Sequence, residues 1–120
     1  MNKRSIGSSY EDKACEHIRT QGVDILERNY SVKYGEIDII GRDGADLVFF
    51  EVKFRSSSDK GYASEAVNLR KQYKICRVSD FYMMTKHVPD DTQIRYDVIA
   101  IDGDNIEWIK NAFDYISHDR

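Results

Sequence analysis

Glu36-Ile37-Asp38-Ile39-Ile40 and Phe49-Phe50-Glu51-Val52-Lys53 decide the fold of this chain, together with the Asp43-Gly44 pair between them. Each segment is rich in β-branched or aromatic residues with a two-residue alternation, the mark of a strand. Asp-Gly between two such runs is a tight hairpin signal. With Asp43 and Gly44 as the two turn residues, Asp38 faces Phe49 and Ile37 faces Phe50. Side chains alternate across a strand, so Asp38, Glu51 and Lys53 share one face, with Glu51 diagonal to Asp38 at roughly 7–8 Å. An Asp, a gap of twelve residues and then Glu-x-Lys on paired strands is the layout of a metal-dependent nuclease site.

Glu and Lys two apart on a strand are usually a solvated face. Here they follow Leu47-Val48-Phe49-Phe50, which is apolar on both faces, as in an interior strand. Charges that continue a doubly buried run need a partner, a metal or an opening to water.

The composition sets the outer bounds. With 120 residues, 41% hydrophobic, the chain is expected to form a single domain, residues 1–120, around one core. Its formal charge of −3 argues against a generic basic nucleic-acid coat. The distribution differs from the sum: Lys53, Arg55, Lys60, Arg70, Lys71, Lys74 and Arg77 stand against only Asp59 and Glu65 in that stretch. Such asymmetry makes a phosphate-attracting surface, or a solvated helix face. Cys15 and Cys76 lack metal-ligand spacing and read as packed, reduced thiols, and the three histidines are scattered, against a zinc site. With no apolar run of membrane length and no signal-peptide core, the expectation is a cytoplasmic protein without a membrane partner.

Along the chain, residues 8–21 are predicted as a first helix, with Ser8-x-x-Glu11 matching a capping box. A strand over 23–32 follows, then the two deciding strands in a meander. The polar stretch 55–63 is predicted as a flap beside the site. Ser64 is expected to cap a second helix running to about Lys86, on which Lys71, Ile75, Val78 and Tyr82 share a face. Lys71 at the end of that apolar stripe is otherwise a snorkelling lysine. Residues 95–101 form another strand, a turn leads into 106–109, and a short helical piece is predicted over 111–116. Asp97 is read as structural. The order α-β-β-β-α-β implies an α/β fold with a central mixed sheet flanked by helices.

Gly7-Ser8-Ser9-Tyr10-Glu11, Tyr34-Gly35-Glu36-Ile37-Asp38, Phe49-Phe50-Glu51-Val52-Lys53-Phe54-Arg55, Arg70-Lys71-Gln72 and Arg95-Tyr96-Asp97-Val98 resemble the bacterial YraN-like uncharacterised protein family, in order and over nearly the whole chain. That family is similar in fold and motif to restriction-endonuclease-like nucleases of the PD-(D/E)XK type, near the Holliday-junction resolvases. The resemblance implies an endonuclease acting on DNA, branched DNA foremost, with Asp38 and Glu51 as metal ligands and Lys53 beside the attacking water. It implies that Glu11 is the first-helix acid, and Lys71 or Gln72 the polar residue of the later helix. In that chemistry the Val52 carbonyl completes the metal set. Mg2+ suits an all-oxygen site, and Mn2+ substitutes. Arg55, Lys60, Arg70, Lys74 and Arg77 are then a phosphate-contacting rim, and the resolvase likeness extends to a homodimer. One departure is Tyr10 before Glu11, where many relatives carry glycine. The rival reading is a nucleic-acid-binding module that keeps the nuclease fold without efficient turnover.

Overall fold

The computed structural model describes residues 3–54 and 67–117, with side chains from residue 9 onward. The elements run α1 (Lys3–Thr20), β1 (Asp24–Val32), β2 (Gly35–Asp43), β3 (Asp46–Phe54), α2 (Leu69–Thr85), β4 (Ile94–Asp102) and β5 (Asn105–Phe113). The strands form one sheet in the order β1-β2-β3-β4-β5. β3 and β4 pair in parallel and every other neighbour is antiparallel. A parallel pair needs a long crossover, and α2 lies within it. The sheet is therefore mixed and carries the expected α-β-β-β-α-β order, with β5 added at the edge.

The two helices cover opposite faces. Ala14, Cys15 and Ile18 of α1 pack with Ile39, Val48, Phe50, Ile99 and Ile101. Ile75, Cys76, Val78 and Tyr82 of α2 pack with Ile40, Phe49, Tyr96 and Val98. Consecutive residues of β3 thus alternate between two cores, which is why Leu47 to Phe50 is apolar throughout. Gly41 in β2 permits a close approach: a Cβ there would lie 2.8 Å from Val23 Cγ1.

Four local expectations are corrected. The hairpin turn lies one residue later, at Gly44-Ala45, with Asp43 paired to Asp46 and Ile39 to Phe50. Gly44, at φ +63°, occupies the first turn position, where a positive φ favours glycine. α1 begins at Lys3, so Ser8 and Glu11 lie within the helix and form no capping box at its start. α2 begins at Leu69 rather than Ser64; its cap is Asn68, whose Oδ1 accepts the Lys71 N–H at 2.9 Å. No helix forms over 111–116. β5 continues to Phe113, whose ring stacks on Tyr96 at 5.2 Å, and Asn111 absorbs the irregularity with a positive φ. No helix among the described residues is long and apolar enough to cross a membrane.

Candidate functional site

The ladder between β2 and β3 ends at Ile39 and Phe50. Beyond that last pair Asp38 and Glu51 line one opening, close enough for the Glu51 charge to act on Asp38. Here a side chain replaces the backbone bond: Asp38 Oδ2 accepts the Val52 N–H at 2.8 Å. Glu51 is buried, 6% exposed. Burial, followed by the Glu51 charge, pushes the Asp38 carboxyl up to about 8; the Val52 N–H works against them, and Glu11 and Glu36 add to the rise. Two acids at a low-dielectric fork cannot both ionise cheaply.

Among the described residues Glu51 pairs with Lys71 of α2, with Nζ 2.9 Å from Oε1. Lys71 is one turn before Ile75 on the same stripe, so the packing of α2 aims it at β3. Partial burial works against the Lys71 ammonium, but the Glu51 bond and charge outweigh it and raise its pKa.

Glu11 comes from α1. Its Oε1 is buried and makes no hydrogen bond among the described residues, although Arg28 Nη2 stands 3.5 Å away. The same guanidinium reaches Asp12 more closely, at 2.7 Å. Burial raises the Glu11 pKa, Arg28 opposes the rise and Glu36 supports it.

A cleft of about 520 Å³ opens over the acids. Asp38, Glu51 and Glu36 line it with Asn68, Arg70, Lys71 and Lys74 of the α2 start, and with Tyr34. The other described sequence candidates do not line this cleft. Lys53 is exposed at the end of β3 and makes no ion pair among the described residues. Gln72 turns away, its Nε2 donating to the Val67 carbonyl at 2.9 Å. Arg77 binds Asp80 at 3.2 Å and donates to the Ile116 carbonyl and the Tyr115 hydroxyl. Arg55 and Lys60 lie outside the described residues. Sequence reasoning passed over Tyr34 and Glu36 as site residues, though Tyr34-Gly35-Glu36 runs directly into Asp38.

For a metal, the donors are carboxylates and main-chain oxygens, a hard set. Among the described residues no three Asp, Glu, His or Cys side chains form a group able to hold an ion. The arrangement is a carboxylate pair, which suits a cation that keeps several waters and takes further oxygens from a phosphate.

A mixed α/β protein with paired acids at the fork of its central strands, faced by a basic helix start, is the class that fold and site define. The chain belongs to the Uncharacterised protein family UPF0102, which it matches over residues 10–101. It is 44% identical to a UPF0102 protein of Fusobacterium nucleatum over 111 residues, 92% of each chain. It is 40% identical to a UPF0102 protein of Lachnoclostridium phytofermentans over 114 residues, 95% of this chain and 97% of the relative. A Persephonella marina UPF0102 protein is 42% identical over 108 residues, 90% of this chain and 92% of the relative.

Proposed function

We propose that this chain is a divalent-metal-dependent nuclease that hydrolyses phosphodiester bonds in DNA, with branched or flapped DNA as its substrate. One observation carries the reading: a carboxyl at a strand fork, pushed up to about 8 beside a second buried acid, under a cleft walled by cations. A fold that keeps two acids together without using them bears a cost for nothing.

Asp38, Glu51 and the Val52 carbonyl would hold Mg2+ or Mn2+. When bound, the ion supplies Lewis acidity at the phosphate. The remaining work belongs to the chain. Arg70 and Lys74 hold backbone phosphates and position the strand. Lys71 gives up Glu51 and carries its positive charge to the phosphate. From the rim of the cleft, Lys53, on the same face of β3 as Glu51, orients the attacking water, and Glu11, close enough for its charge to act on Asp38, accepts a hydrogen bond from water entering the site. In this reading two copies of the chain act on the two strands of a junction.

The Lys71–Glu51 ion pair favours a second reading, a DNA-binding module with little turnover, because it already neutralises the acid that an ion would need. Titration of Mg2+ and Mn2+ into the protein, followed by cleavage assays on flap, junction and linear DNA, separates the two. A nuclease binds the ion and cuts, and Asp38→Ala or Glu51→Ala abolishes the cut while DNA binding persists. Protein that binds DNA with a steep salt dependence, takes up no ion and cuts nothing leaves the binding module standing.

A further inference from the structure

A second cleft, of about 410 Å³, is lined by Tyr34, Arg70, Tyr73, Lys74 and Arg77. Tyr34, Arg70 and Lys74 line the acid cleft as well, so the two adjoin through those side chains. α2 contributes residues 70, 73, 74 and 77, whose three- and four-residue spacing gathers them on one helix face. Tyr34 comes from the turn between β1 and β2 and is 57% exposed, with its ring leaning on Phe81 at 6.4 Å.

The cations here divide into two kinds. The Arg77 guanidinium stacks on the Tyr73 ring, 4.7 Å from its centroid, and is itself tied to Asp80 and the Tyr115 hydroxyl. It is a fixed backing for that ring. Arg70 and Lys74 make no ion pair among the described residues and remain available to an anion. Two aromatic rings, one backed by a guanidinium, beside two uncommitted cations, are complementary to a flat π-face flanked by phosphates.

We infer that this cleft is a stacking subsite for an unpaired base of the DNA strand. The base lies against Tyr34 and Tyr73, its neighbouring phosphates against Arg70 and Lys74, and the strand continues over Asp38 and Glu51. Within a duplex both faces of a base are covered by its neighbours, so only a base freed at a flap, junction or end can use the rings. Stacking tolerates any base, so the subsite selects structure and not sequence. The inference rests on the nuclease reading and adds to it the feature by which the substrate is chosen.

The test uses wild-type protein in EDTA, so that binding is read without cutting. Its probes are a flap DNA carrying 2-aminopurine at the unpaired position nearest the junction, and a fully paired duplex of equal length carrying the same base. The flap should bind more tightly than the duplex, with a change in 2-aminopurine fluorescence that the duplex does not show. Tyr34→Leu should weaken flap binding roughly fivefold to a hundredfold, remove the fluorescence change and leave duplex binding as it was. Tyr34→Phe should restore both. Tyr73→Leu should act in the same way, and if it does not fold, the exposed Tyr34 decides alone. Equal affinity for flap and duplex, or a Tyr34→Leu protein that keeps its flap preference, overturns the subsite even where the protein cuts DNA. Failure to bind either DNA overturns the nuclease reading beneath it.

Discussion

Two aspartates of the sheet are treated in opposite ways. Asp97 on β4 is fully buried, and its carboxylate is answered on both oxygens. Oδ1 accepts from Arg95 Nε at 3.1 Å and the Asn111 N–H at 2.8 Å; Oδ2 accepts from Arg95 Nη2 at 2.8 Å and Trp108 Nε1 at 2.9 Å. Arg95 extends the network to Asp43 and Asp46, and its pKa is raised by Asp97 before all else. Asp38 on β2 has one backbone donor and is opposed by Glu51, Glu11 and Glu36. The same sheet can satisfy a buried carboxylate and does so where the residue holds the fold together. At the fork the half-buried Asp38 accepts a single backbone hydrogen bond and lies among like charges, an arrangement that costs stability once it ionises.

The largest expected effect lies on the satisfied side. Asp97→Ala removes the acceptor of four donors and leaves Trp108, Asn111 and part of Arg95 unpaired. It should cost about 3–5 kcal/mol in urea unfolding at pH 7. A loss below 1 kcal/mol would break the contrast.

Asp38→Asn should act with the opposite sign. Asparagine keeps an acceptor for the Val52 N–H and removes the repulsion, so stability should rise by about 1–3 kcal/mol at pH 8 while any cleavage is lost. The pH dependence follows from the same shift. Asp38 rises from an ordinary 3.8 to about 8, so the folded protein holds a proton that the unfolded chain has released. Its contribution is fully present below pH 3.8 and is lost as pH rises through about 8. In EDTA the melting temperature should therefore fall between pH 5 and pH 8, and less steeply in Asp38→Asn. A parallel slope in both proteins would assign the titration to other groups.

Lys71→Met sharpens the comparison at a smaller scale. It leaves Glu51 buried without its cation, and because Lys71 is half exposed the cost should be about 1 kcal/mol. If Lys71 competes with an ion for Glu51, Mg2+ affinity should rise, as read by calorimetry. Unchanged affinity would leave the pair purely structural.

Glu11→Gln has the smallest expected effect on stability, within about 0.5 kcal/mol, because Glu11 caps no helix end and Oε1 makes no hydrogen bond among the described residues. Cleavage should nevertheless fall. A variant that cuts at the wild-type rate would separate Glu11 from the chemistry.

Much of the fold was legible because the relevant signals are local. The apolar run at 47–50, the alternation at 36–40 and the four-residue stripe Lys71, Ile75, Val78 and Tyr82 follow from one strand or one helix at a time. The misreadings fall where a local signal competed with a neighbour of similar strength. Asp43-Gly44 and Gly44-Ala45 are both acceptable turns, and pairing decides between them by setting Ile40 beside Phe49 in one core and Ile39 beside Phe50 in the other. Residues 111–116 hold only one strong helix former, Ala112, and the strand wins because Phe113 stacks on Tyr96 and the Asn111 N–H is taken by Asp97.

By itself the sequence determined the alternation of elements, the two faces of β3 and the presence of Asp38, Glu51 and Lys53 on paired strands, because side-chain periodicity is a property of each segment alone. Only the tertiary structure decided that Asp38 and Glu51 line one cleft, that Lys71 rather than Lys53 holds Glu51, and that Asp97 has four donors where Asp38 has one backbone donor among like charges. Those outcomes depend on strand register and on which helix turn meets which strand. Both are set by how two hydrophobic cores close against opposite faces of one sheet, and no single segment carries that information.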